Sequence, residues 1–459
     1  MKLAVFGCGY VGLVTGVCLA SLGHQVACVD VDPLRVDAIN RGETPIFEPG
    51  LEDLLRANLA AGRFRATLEP REALAGSRIS MIAVGTPDRD GRIDLSFVEG
   101  VCRTIGRHLR TAGFHTVVVK STVVPGTTLG LVRDTLEAVS GLEAGPDFGV
   151  AMNPEFLREG FAVRDFLEPD RLVLGHLGAG SGEALEALYA AFSCPKLHVT
   201  PTEAEFAKYA SNALLATCIS FANEIYALCE ATPGTDGHTV LSILHQDRRL
   251  TPTHHGEAVR PGILGYLYGG VGYGGSCLPK DLNAITAMAR ERGLPARLLD
   301  QVVQVNQDRP GAIVRRLAAE LGNLAGLTVT VLGLAFKPGT DDWRHSPSQP
   351  LVDALLARGA TVRAWDPLVD PAAVAAWGGR VVLHREPGPA LRGAHGAVLA
   401  TAWPELVGWP WAELAASMAE PVILDGRNAL ETIVWPPSVR YLPVGRGPAA
   451  PLRETHVQS

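Results

Sequence analysis

The stretch Tyr268–Asp281, YGGVGYGGSCLPKD, sets one cysteine between a run of glycines and a Pro-Lys-Asp triplet. Gly274 and Gly275 remove side-chain bulk beside Cys277, so backbone and ligand can approach closely. Pro279 suits the first turn of the helix that KDLNAITAMA continues, which sets the sulfur near a helix N-terminus. Such a position, with Lys280 beside it, lowers a thiol pKa and supplies thiolate near neutral pH. The same residues read equally as a small buried cysteine in a tight turn, because unpaired cysteine is among the most buried residue types.

A second motif bears on that choice. GCGYVG, Gly7–Gly12, follows an apolar strand and opens a helix, and Asp30 ends the next strand. Gly7 permits the tight turn, Gly9 lets the backbone approach a pyrophosphate, and Gly12 allows close helix packing; the helix N-terminus supplies N–H donors. Asp30 would accept hydrogen bonds from the adenosine ribose hydroxyls and repel a 2′-phosphate, favouring NAD over NADP. A nicotinamide enzyme oxidises an alcohol to an aldehyde by hydride transfer, but going further requires a tetrahedral adduct from which a second hydride can leave. A thiolate makes one: the adduct is a thiohemiacetal, its oxidation product a thioester, and water then releases an acid.

That chemistry also needs an oxyanion stabiliser and a base or water-positioning group. Lys208 and Asn212 stand four apart in an uninterrupted helical run and share a face, offering an ammonium and an amide. On spacing alone a solvated helix face is the stronger reading. Glu155, in NPEFLRE, follows an apolar strand in the loop region where doubly wound folds bind ligands, or serves as a helix-start carboxylate.

These residues have to be held by elements visible in the pattern. LAVFG, HQVACVD, ISMIAVGTP (79–87), HTVVVKSTVVPGTT (115–128) and FGVAMNPEFLREG (148–160) are apolar runs ending in turn residues, separated by helical stretches, the signature of a doubly wound parallel sheet. From Thr202 about thirty residues run without Gly or Pro, a helix of about 45 Å suited to joining domains or to a dimer core. At Leu327 a second alternating region begins with LTVTVLGLAFKPGTDD, and a strand ending in Asp366 faintly echoes the first motif without its glycine spacing. The expected organisation is an NAD-binding domain over 1–200, a central helical region with the cysteine loop over 201–310, a second α/β domain over 325–443 and a disordered Pro/Gly-rich tail over 444–459.

The 459 residues, 47% hydrophobic and 19% charged with a formal charge of −7, describe a globular protein without a nucleic-acid footprint. The uncharged run Leu3–Gly23 superficially fits a signal peptide or membrane span, but its three glycines and the following VDVD read better as strand, turn, helix and strand. Eight cysteines without CxxC pairs point to a reducing cytoplasm. The adjacent His254 and His255 lack the spacing of a zinc pair, so no metal is expected.

Taken together, GCGYVG, KSTVVPGT, NPEFLREG, EAEFAKYASNA, GYGGSCLPKD, GLAFKPGTDD and LDGRN resemble, in order, the motifs of the UDP-glucose/GDP-mannose dehydrogenase family over Met1 to about Arg446. The resemblance implies two Rossmann-like domains joined by the long helix, and four-electron oxidation of a nucleotide-sugar C6 hydroxyl to a carboxylate with two NAD⁺. UDP-glucose is the favoured sugar, with GDP-mannose or a UDP-N-acetylhexosamine as alternatives; a two-electron hydroxyacid dehydrogenase is a more distant one. It further implies that Cys277 is the nucleophile, that Lys208 and Asn212 stabilise the oxyanion and position water, that Asp281 lies beside them, and that Thr122 and Glu155 serve water and proton transfer. For NAD it implies Gly7, Gly9, Tyr10, Val11, Gly12, Asp30, Arg35, Thr86, Thr122, Glu159, Lys280 and Arg344. For substrate it implies Glu155, Phe156, Leu157, Arg158, Lys208, Asn212, Tyr266, Leu267, Tyr268, Gly269, Gly270, Gly274, Lys337 and Arg427. Arg249 matches an arginine that reaches the substrate from a neighbouring subunit, so a homodimer or larger homo-oligomer is expected. The chain departs from the family pattern in a longer segment between Arg249 and Tyr266, and in Tyr268, where some UDP-glucose enzymes carry lysine.

Overall fold

The computed structural model describes residues 1–89, 91–109, 113–254 and 257–449. Two compact units, 1–211 and 212–459, make up the chain. The first is built on strands β1 (Lys2–Phe6), β2 (Gln25–Val29), β3 (Phe64–Thr67), β4 (Ile79–Ile82), the short pair β5 (Asp88–Arg89) and β6 (Arg92–Ile93), β7 (Thr116–Val119), β8 (Gly149–Met152), β9 (Leu172–Leu177) and β10 (Lys196–Val199). Eight of them form one sheet in the order β10-β9-β8-β7-β4-β1-β2-β3. Leu3 to Phe6 and Ile79 to Ile82 are buried without alternation because helices cover both faces of the sheet.

The run that superficially fits a membrane span is β1, a turn and the helix Tyr10–Ser21, of which Gly12 to Ala20 are buried inside this unit. Two edge strands, β9 and β10, pair parallel to each other and run against the other six. β9 pairs antiparallel to β8, because the chain after Met152 doubles back through the NPEFLREG loop and a short helix, Ala162–Leu167. An antiparallel neighbour needs no crossover over the sheet.

The long helix spans Pro201–Glu230. Within the second unit, β11 (Thr253–His254) and β12 (Glu257–Ala258) form a small exposed pair in the longer segment; His255 lies outside the described residues. Strands β13 (Thr328–Leu332), β14 (Thr361–Trp365), β15 (Val381–His384), β16 (Gly396–Leu399), β17 (Val422–Asp425) and β18 (Arg440–Pro443) form an all-parallel sheet, β15-β14-β13-β16-β17-β18. That is the dinucleotide-fold order, reversing direction between β13 and β16. The central segment shares its core: Ala222, Tyr226, Leu241 and Val271 pack with Leu332, Leu399 and Leu424.

The echo at Asp366 is structural. Its carboxylate is fully buried and accepts from the backbone N–H groups of Leu334, Ala335, Leu368 and Val369, clamping the turn after β13. The segment expected to be a loose tail is held in its first part. Val444 is buried, the Gly445 N–H donates to Glu230 (2.8 Å), and Gly234 and Gly447 exchange backbone bonds with Pro448 and Thr235. The glycines that suggested disorder are what let this segment lie flat on its neighbours: a Cβ on Gly447 would stand 2.1 Å from the Thr232 carbonyl oxygen. Residues 450–459 lie outside the described residues.

Candidate active site

The dinucleotide turn has the geometry its glycines suggest. Gly7 takes φ +102°, where L-residues are strained. A Cβ on Gly12 would lie 1.9 Å from the Gly7 carbonyl oxygen, whereas one on Gly9 would meet nothing within 4 Å. The helix Tyr10–Ser21 therefore packs tightly on its own turn while the space beside Gly9 stays open for a pyrophosphate. Asp30 Oδ2 accepts from the Cys8 N–H (2.7 Å) and faces the Arg35 guanidinium at 3.5 Å, so the carboxylate expected to meet the ribose is pinned to the turn. The Thr86 hydroxyl donates to the Thr122 carbonyl (2.9 Å), joining two more expected site residues at the carboxyl ends of β4 and β7.

Glu155 and Lys208, also in the first unit, form a buried ion pair at 2.9 Å. Burial pushes the Glu155 carboxyl up, but the Lys208 charge and hydrogen bond, the Leu157 N–H and the Lys120 charge outweigh it, and its pKa falls below the ordinary value. Glu155 is ionised at neutral pH. Lys208 lies 5.6 Å from the centre of the Phe156 ring, which the Arg171 guanidinium approaches at 4.3 Å. Arg158 gives its guanidinium to Asp165 in a two-pronged pair, 2.6 and 2.9 Å. Leu157 packs on the core and Glu159 is half-buried.

A second buried lysine was missed by sequence reasoning. Lys120, at the end of β7, donates to Asn153 Oδ1 (2.7 Å), an oxygen that also accepts from the Tyr189 hydroxyl (2.6 Å). Burial lowers its pKa to about 8, with Lys208 adding to the shift and Glu155 opposing it. The signal was a lysine ending the buried run TVVVK. A long charged side chain in that place is either paired or functional.

In the second unit, Cys277 is exposed and is the N-cap of helix Leu278–Glu291, with Pro279 in the first turn as expected. The Ser276 hydroxyl lies 3.6 Å from its sulfur. Asp281, one turn on and buried, accepts from Asn212 Nδ2 and from Lys280 Nζ, both at 2.6 Å. This carboxylate orients the Asn212 amide, and it also engages the ammonium of Lys280.

The loop glycines make room, and here the neighbour is protein. A Cβ on Gly274 would stand 2.4 Å from the His345 carbonyl oxygen, and one on Gly275, at φ +85°, 2.9 Å from the Phe336 ring. Phe336 and the residues His345–Pro347 thus press directly on the cysteine loop. Lys337 lies over the Phe336 ring at 5.4 Å, and Arg344 is exposed and pairs with Asp342 at 2.8 Å. Arg427 is half-buried; its Nε donates to the Ala400 carbonyl and its Nη1 to the Gly272 carbonyl, tying LDGRN to the glycine loop. Burial lowers the Arg427 pKa to about 10 against the pull of Asp425.

Tyr266 and Leu267 end a turn of 3-10 helix, Gly262–Tyr266. The Tyr268 ring stacks on His238 at 5.0 Å and meets His245 edge-on at 4.6 Å. Gly269 packs on the Tyr226 ring. The Gly270 N–H donates to Asn223 and its carbonyl accepts from Arg309, which also makes a bidentate pair with Glu230. The Arg249 side chain is 87% exposed and bonds Asp247 within its own loop. Among the described residues, no cluster of three or more His, Cys, Asp or Glu could hold a metal.

Comparison with known proteins accounts for both units. Residues 1–193 match the NAD-binding domain of the UDP-glucose/GDP-mannose dehydrogenase family, 202–308 its central domain and 330–432 its UDP-binding domain. The chain is 42% identical to a UDP-glucose 6-dehydrogenase of Pseudomonas aeruginosa, covering 93% of each. It is equally 42% identical to a GDP-mannose 6-dehydrogenase of Pseudomonas putida over 82% of each. The solved UDP-glucose dehydrogenase of Pyrobaculum islandicum superimposes with a TM-score of 0.86 at 39% identity, covering 96% of each chain. With its NAD turn, its capping cysteine and three family domains in order, the chain belongs to the UDP-glucose/GDP-mannose dehydrogenase family.

Proposed function

We propose that the protein oxidises the C6 hydroxyl of UDP-glucose to a carboxylate, giving UDP-glucuronate. The observation that carries this reading is the placement of Cys277, the one exposed thiol among eight cysteines and the N-cap of a helix. Bound NAD⁺ supplies the hydride acceptor for each of two oxidations. The Cys277 thiolate adds to the C6 aldehyde carbon, forming a C–S bond as the carbonyl electron pair moves to oxygen. Loss of hydride from this thiohemiacetal gives a thioester; water then cleaves the C–S bond, returning the thiol and releasing the acid. The Lys208 ammonium and the Asn212 amide, held by Glu155 and Asp281 respectively, are the donors for the oxyanion. Ionised Glu155, with Thr122, serves proton transfer and water placement.

Asp30, Arg35, Thr86, Glu159, Lys280 and Arg344 are assigned to NAD, and Phe156–Arg158, Tyr266–Gly270, Gly274, Lys337 and Arg427 to the nucleotide sugar. A homodimer is supported by the exposed seven-residue repeat Leu214, Phe221 and Leu228 on the long helix, an apolar stripe suited to a second copy. The exposure of Arg249 suits a reach into the partner's site. A reducing cytoplasm suits an enzyme whose nucleophile is an exposed thiol.

The test is an NADH-release screen against UDP-glucose, GDP-mannose and UDP-N-acetylglucosamine. Two NADH per UDP-glucose at completion is expected. Release of one would remove the thioester scheme and leave a two-electron dehydrogenase with a structural Cys277. Preferential turnover of GDP-mannose, the named substrate of an equally similar relative, would reassign the sugar.

A further inference from the structure

Glu48 lies in the loop TPIFEPG and is buried, 6% exposed. Its carboxylate accepts from the Gly160 N–H (2.7 Å), the Ala162 N–H (2.7 Å) and the Tyr10 hydroxyl. The Gly160 N–H also points at the Tyr10 oxygen, 3.1 Å away. Tyr10 follows Gly9 and is the first residue of the helix that opens at the dinucleotide turn. Gly160, at φ +79°, closes the segment Glu155–Glu159, which carries the residues assigned to sugar and cofactor. Burial and then the Glu48 carboxylate push the Tyr10 phenol far above its ordinary range, so it remains a donor.

One carboxylate therefore gathers three donors from two segments 150 residues apart. Both oxygens of this carboxylate accept, whereas an amide would turn its NH2 toward a backbone N–H and leave a buried donor unpaired. The hydroxyl of Tyr10 is spent in this junction, so what that residue offers a dinucleotide is its place at the helix N-terminus.

We infer that Glu48 is a positioning residue that locks the dinucleotide turn to the Glu155–Glu159 segment, so that cofactor binding and sugar binding depend on one buried carboxylate. This rests on the site assignment proposed above.

The test is steady-state kinetics in both substrates, NAD and UDP-glucose, with melting temperatures, for Glu48→Gln, Tyr10→Phe and Glu155→Gln. Glu48→Gln is expected to raise KM for both substrates by about tenfold. Tyr10→Phe keeps the Gly160 and Ala162 bonds to the carboxylate and is expected to raise KM for NAD by about threefold with a smaller effect on the sugar. A merely structural Glu48 would lower the melting temperature and the active fraction and move neither KM. A folded Glu48→Gln enzyme with both KM values unchanged overturns the inference; should that variant not fold, an unchanged KM for NAD in Tyr10→Phe overturns it. Full turnover by Glu155→Gln would instead sink the assignment of the segment, a result separable from normal kinetics at position 48.

Discussion

The carboxylate of Glu155 and the ammonium of Lys208 meet at 2.9 Å, each with a side chain less than a tenth exposed. A buried pair is costly to break from one side, because the remaining charge stays desolvated. Lys208→Met should destabilise the fold by about 3–5 kcal/mol in urea unfolding, and adding Glu155→Gln should recover much of that loss. Equal stability of the single and double variants would show that the two charges are not coupled. Because the Glu155 pKa is held below 4.5, its contribution is complete above that pH and disappears as pH falls through the folded value.

Lys120 gives the opposite sign of pH dependence. Its pKa falls from 10.5 unfolded to about 8 folded, so between these values the unfolded chain binds the extra proton. Stability from this group therefore rises with pH across that window, with a slope approaching about 1.4 kcal/mol per pH unit. Urea midpoints measured from pH 7.5 to 10 should rise for the wild type relative to Lys120→Met, because only the wild type gains this term. Parallel profiles would refute the shift.

Gly9 and Gly12 should separate binding from folding. Gly12→Ala drives a methyl into the Gly7 carbonyl and should cost about 3 kcal/mol, the upper end of overpacking. Gly9→Ala meets open space at an ordinary φ of −76°, so its melting temperature should match wild type. Its NAD affinity should nonetheless fall by about tenfold or more, a loss of about 1.4 kcal/mol. Undiminished NAD binding to Gly9→Ala by titration would mean that the open space is not where the pyrophosphate goes.

Cys277→Ala should abolish carboxylate formation from UDP-glucose while NAD binding stays within about twofold of wild type. Product analysis by mass, not NADH alone, is the measurement; normal acid output would reject the nucleophile. Gly274→Ala, whose methyl would strike the His345 carbonyl, should displace the loop and lower kcat even though it removes no reacting atom.

Local pattern made the dinucleotide turn, the helix Pro201–Glu230, the capping cysteine and the second α/β domain legible, because each depends on neighbours a few residues away. Glycine spacing states a backbone requirement, and Pro279 after Cys277 states a helix start. The sequence by itself therefore determined where the chemistry-bearing residues sit along the chain and which elements carry them. What folds against what was decided only in three dimensions. Glu48 reads as an ordinary loop acid until the fold brings Gly160 and Ala162 to it. Lys120 reads as the end of a strand until burial lowers its pKa, and Gly445 and Gly447 read as disorder until they pack on Tyr226 and Thr232. Desolvation and hydrogen-bond pairing depend on residues far apart in sequence, so no local window contains them.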